Sequence, residues 1–139
     1  MGGDGIKDDA YITEAGPSSA GTIASTVGIP LDALETATEF VVAYDEAGFE
    51  DAPSDYGPYA YDAANLLIDA SAGALADSEA VTPEARADVI TQLDAIETDG
   101  LTGAIAFDDY GDTTTKVFTI YRVEGDAWVP VEGYIGFEL

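Results

Sequence analysis

Residues 103–131 read GAIAFDDYGDTTTKVFTIYRVEGDAWVPV, and this stretch decides the fold class. Positions 104–107 form a short apolar run, DDYGD at 108–112 is a tight turn, and KVFTIYRV at 116–123 is rich in β-branched and aromatic side chains. Such side chains fit a pleated, half-buried surface, so both runs are expected to be strands. A second turn at Glu124-Gly125-Asp126 leads into 127–131, which predicts a β-hairpin at the end of the chain.

Upstream the period changes. Positions 10–15 read as a short helical turn ending at Gly16-Pro17, and GTIASTV at 21–27 as a short strand that Gly28-Ile29-Pro30 interrupts. From 31 to 48, Leu34, Ala37, Phe40, Val41 and Tyr44 recur at spacings of three and four, the mark of an amphipathic helix, and Gly48 is a natural stop. EDAPSDYGP at 50–58 is a loop. A second helix over 59–72 places Ala60, Ala63, Ala64, Leu67 and Ala70 on one face. A third opens with Thr82 as N-cap and Pro83 and Glu84 in its first turn, with Val89, Ile90, Leu93 and Ile96 as its core face. Helices followed by strands give an α/β class. The strands are too few for a sheet that covers three helices.

At 139 residues the chain has the size of one domain or of a piece of a larger one. It carries 28 Asp and Glu against 4 Lys and Arg, a formal net charge of -24. The acids are scattered among regularly spaced apolar residues, which favours a folded protein with an acidic surface over a disordered acidic segment. We read the charge as adaptation to high salt, in preference to a nucleic-acid mimic or a calcium-loaded protein. Direct nucleic-acid binding is opposed by the scarcity of cations, because phosphate contacts need Lys and Arg. With no cysteine and no histidine, thiol chemistry and the commonest general base are absent, which argues against an enzyme. The opening MGGDGIKDDA has no basic region followed by an apolar one, so it does not read as a signal peptide.

Three stretches in order and spacing carry a resemblance. They are Gly2-Gly3-Asp4-Gly5 with Ala15-Gly16 and Gly21, then Ala60-Tyr61-Asp62-Ala63, then Gly103-Ala104-Ile105-Ala106-Phe107-Asp108 with Gly111-Asp112. Together they resemble the leucine/isoleucine/valine-binding protein family of ABC-transporter receptors, with the type I periplasmic binding fold. The resemblance implies the C-terminal part of a two-lobed protein about twice this length: 1–27 in the second lobe, 28–116 in the first, and 117–139 returning to the second. It further implies an extracytoplasmic solute receptor at the periplasm or cell surface, with a lipid anchor one way of tethering the parent. Its partners would be an amino acid or small amide and a membrane ABC permease. A ligand-sensing module of a signalling receptor built on the same fold is the alternative, and a carboxylate-based hydrolase a weaker one.

The resemblance also implies site residues. Asp4, which on its own reads as an ordinary turn aspartate, would bind the ligand's ammonium group through a charge-assisted hydrogen bond. Tyr56 would line the cleft, and Tyr59 and Tyr61 are weaker candidates whose simpler role is packing at a helix start. Asp62 is expected to be structural. Asp108, Asp109 and Asp112 lack the alternating spacing of a calcium loop and read as turn residues, so no metal or cofactor is expected.

Overall fold

The computed structural model describes residues 1–76 and 80–137, which form two compact units, 1–33 with 116–137, and 34–76 with 80–115. In the first unit, strand β1 (Ile23–Val27) pairs antiparallel with β4 (Lys116–Glu124), and β4 with β5 (Ala127–Phe137), in the order β1-β4-β5. Period-two alternation puts Thr119, Tyr121 and Val123 of β4 on one buried face with Ala24 and Thr26 of β1, and Ala24 stands opposite Tyr121. Pro130 lies in β5, on the outer side of the sheet where its missing N–H costs no inner ladder bond, next to a register shift at Thr119/Tyr121. Helix α1 (Asp9–Ala15) is started by the Asp8 carboxylate, which accepts from the Ala10 N–H at 2.7 Å, and it turns Ile12 into the core. The buried Thr119 hydroxyl donates to the Gly28 carbonyl at 2.6 Å, so its burial leaves no polar atom unmatched.

The second unit packs helix α3 (Gly57–Leu75) against α4 (Pro83–Asp94), with helix α2 (Thr38–Glu46) and a hairpin of β2 (Glu97–Gly100) and β3 (Gly103–Ala106). Thr82 caps α4 as expected, accepting from the Ala85 N–H at 3.2 Å. The helix expected over 31–48 is α-helical in its second half alone. Leu34 adopts an extended backbone (φ -87°, ψ 92°) between two 3-10 turns, Leu31–Ala33 and Glu35–Ala37. The periodic face nevertheless survives, since Leu34, Ala37, Phe40, Val41 and Tyr44 are each less exposed than the residues beside them on the polar face. Gly48 ends the segment at φ 73°, a left-handed value that glycine reaches without strain, and its N–H closes onto the Asp45 carbonyl.

One expected face is rotated, and another holds at all but one position. In α3 Ala60, Ala63, Ala64 and Leu67 are exposed, while Asp62 and Leu66 turn inward beside Ala70, the one residue of the expected face that is buried. A carboxylate that finds three donors fixes the rotation of this helix more firmly than a row of methyl groups can. In the α4 segment Val89, Leu93 and Ile96 turn inward as expected, joined by the buried Ala85, and Ile90 alone departs, at 61% exposed. Strand β2, ETDG, was not expected at all, because it carries no run of apolar or aromatic side chains.

Candidate functional site

Asp4 opens a 3-10 turn (Asp4–Ile6) just beyond a single parallel bridge between Gly2 and Ala24. The Gly2 N–H donates to the Ile23 carbonyl at 2.9 Å, and the Ser25 N–H to the Gly2 carbonyl at 3.2 Å. The loop therefore leaves the edge of the first unit's sheet from a fixed point. Asp4 is exposed, and its carbonyl accepts from the Lys7 N–H at 2.9 Å, closing the turn.

The tyrosines lie in the second unit, around the start of α3. Tyr56 occupies the N-cap position and is 44% exposed, and its carbonyl accepts the Ala60 N–H as the helix begins. Pro58 follows in the first turn, where a missing N–H is harmless. Tyr59 is half-buried. Tyr61 is 48% exposed and meets the Phe40 ring edge-on, with centroids 5.5 Å apart, and Phe40 continues the aromatic row to Tyr44 and Phe49.

Next to Tyr61, the Asp62 carboxylate fastens α3 to the tight turn between β2 and β3. One oxygen accepts from the Leu101 N–H at 2.9 Å, and the other from the Thr102 N–H at 2.9 Å and the Thr102 hydroxyl at 2.7 Å. The same turn is held from the other side by the Thr36 hydroxyl, which donates to the Leu101 carbonyl. Gly100 is forced by this closeness: a Cβ there would sit 2.5 Å from Asp62 Oδ2 and 2.6 Å from Ile105 Cδ1. Asp62 is thus a structural carboxylate, although it sits in the second turn of the helix and not at its start.

Around this junction lies a cavity of about 420 Å³, bordered by Thr36, Tyr61, Asn65, Asp69, Asp99 and Leu101 among others. Of the four expected site residues, only Tyr61 borders it. Tyr56 and Tyr59 do not, and Asp4 belongs to the first unit. Asn65 and Asp69 were overlooked, though Tyr61, Asn65 and Asp69 follow one another at four-residue spacing and so share a helix face. The lining offers carboxylates, an amide and hydroxyls, which suit hydrogen bonding to a polar or cationic group, and no thiol or imidazole for covalent chemistry.

The aspartates at 108–112 form a turn held by their own backbone. Asp108 Oδ1 accepts from the N–H groups of Tyr110 and Asp112, both at 3.0 Å, and the Gly111 N–H donates to the Asp108 carbonyl. Among the described residues, no group of three or more acidic side chains gathers closely enough to hold a metal ion. No described helix is long and apolar enough to cross a membrane.

The two units together constitute part of the type I periplasmic binding fold. The leucine-binding protein LivK of Thermotoga maritima matches 96% of the chain with a TM-score of 0.69 and 24% identity. LivJ of Streptococcus pneumoniae, a branched-chain amino-acid binding protein solved with isoleucine, matches 99% with a TM-score of 0.67 and 18% identity. A solute-binding protein of R. palustris solved with benzoate matches 96% with a TM-score of 0.59 and 20% identity. The chain spans only 36%, 36% and 34% of these proteins, about a third of their length where half was expected. No protein-family model and no curated protein matches the sequence.

Proposed function

We propose that the chain is part of the extracytoplasmic substrate-binding component of an ABC transporter, one that captures branched-chain or related amino acids and presents them to a membrane permease. The observation that carries this reading is the likeness over 96% of the chain, at a TM-score of 0.69, to a leucine-binding protein. Residues 1–27 and 117–139 are assigned to the second lobe and 28–116 to the first, and closure of the lobes over the ligand is a hinge motion. Asp4 holds the ligand's ammonium group, and Tyr56, Tyr59 and Tyr61 supply aromatic wall. The absence of cysteine and histidine supports binding without catalysis, and no metal or cofactor is required. The protein works outside the cytoplasm, at the periplasm or the cell surface, where a lipid anchor would keep it near the permease.

The likeness to a benzoate-bound protein sets the competing ligand class, a carboxylate without an amine. Calorimetric titration of the full-length protein with leucine, isoleucine, valine, short amides and benzoate separates the two. Binding of an amino acid below millimolar, weakened roughly ten- to hundredfold by Asp4→Asn, is the expected result for a charge-assisted contact. No binding by any of the three amino acids refutes the assignment.

A further inference from the structure

The loop carrying Asp4 is fastened at both ends. Gly2 is bonded to β1 on one side through the Ile23 carbonyl and the Ser25 N–H, and the Ile6 side chain folds back over it, so that a Cβ on Gly2 would lie 2.6 Å from Ile6 Cδ1. On the other side the Lys7 ammonium sits 4.3 Å from the centre of the Tyr121 ring, in β4, and Tyr121 is only 4% exposed. One residue on, the Asp8 carbonyl accepts from the Trp128 indole N–H at 3.1 Å, and Trp128 lies beside the Tyr11 ring at 5.8 Å. The sheet has its own ladder and α1 its own cap, so neither needs Lys7. In a chain with four basic residues, one is placed where it holds down this loop.

We propose that Lys7 is a positioning residue for ligand capture. Its ammonium, seated on the rigid ring of Tyr121, fixes the turn that its own N–H closes onto Asp4, and so presents the Asp4 carboxylate to the ligand's amine in one orientation. Ordering the loop before the ligand arrives removes that entropy loss from the binding step. The inference rests on the receptor reading above. It makes the specificity of the loop depend on a side chain that need not touch the ligand.

The test is titration of the full-length protein and two variants with leucine, isoleucine and valine. Lys7→Met keeps the apolar stem and removes the cation, so Kd rises roughly two- to fivefold. Lys7→Arg keeps a cation over the ring and restores Kd to within about twofold of wild type. Amide hydrogen exchange at Lys7 quickens in Lys7→Met by a similar factor, while Thr119 and Tyr121, inside the ladder, do not change. A Kd untouched by Lys7→Met, or Lys7→Arg as weak as Lys7→Met, overturns the proposal even where the wild type binds. A wild type that binds none of the three amino acids removes the receptor reading, and this inference with it.

Discussion

Replacing Asp62 removes the fastening between α3 and the β2–β3 turn, and the size of the loss follows from the bonds present. The side chain is 6% exposed and accepts from two backbone N–H groups and one hydroxyl. In Asp62→Ala the N–H groups of Leu101 and Thr102 lose their acceptor in a partly buried place. Each unsatisfied donor costs about 1–3 kcal/mol, so a total near 4 kcal/mol is expected. Asp62→Asn keeps one oxygen for Leu101 but turns an NH₂ toward the Thr102 N–H. The Thr102 hydroxyl can rotate to accept, so one donor is stranded and the cost is about 2 kcal/mol. Thr102→Val removes only the hydroxyl bond, at about 1 kcal/mol. Urea unfolding in constant molar salt, with the slope checked for constancy, measures all three. The order Ala worse than Asn worse than Val is the signature of the junction. A loss under about 0.5 kcal/mol for Asp62→Ala, the range of an ordinary surface change, would refute the reasoning.

Gly100→Ala drives a methyl group into the Asp62 carboxylate and Ile105, and about 2 kcal/mol of destabilisation is expected in the same urea assay. Raising potassium chloride from about 0.1 M to about 1 M shortens the screening length from about 10 to about 3 Å. With a net charge of -24 the circular-dichroism melting midpoint should climb steeply over that range, and an unchanged midpoint would contradict the salt reading. Bonds from its own backbone N–H and from the Thr82 hydroxyl hold the Glu84 carboxyl below its ordinary value of 4.5. The ionised form is therefore the one favoured by folding, and its contribution is present above pH 4.5 and lost as pH falls through the lowered value. Thr82→Ala should cost about 1 kcal/mol as a lost cap and shrink the stability difference between neutral and acid pH.

The strands of the first unit could be read from sequence because their composition acts locally, whereas the pairing of β1 with β4 could not. Residues 116–123 are rich in β-branched and aromatic side chains and form β4, although the face it buries, Thr119, Tyr121 and Val123, is not marked by alternation in the sequence. The α4 cap could be read for the same reason, since Thr82 and Pro83 act locally. Strand β2 could not, because ETDG pairs through its backbone with β3 and carries no hydrophobic pattern of its own. The rotation of α3 was also hidden. It depends on donors at Leu101 and Thr102, which lie 39 and 40 residues from Asp62. Of the expected site residues, Tyr61 is brought to the cavity by its helix, and Asn65 and Asp69 share its face at four-residue spacing, a signal too common on a polar helix face to single them out.

The division of the first unit into two separated stretches of chain governs how it is made. Ile23 of β1 pairs with Arg122 of β4, and the residues between them include all of the other unit. At a synthesis rate of about 5–20 residues per second, β1 emerges from the ribosome roughly 5 to 20 seconds before its partner strand. Through that interval its edge is an unpaired template in a nascent chain. The acidic charge spread over the sequence then has a task before folding is complete: it repels neighbouring nascent chains from an edge that waits for its own β4.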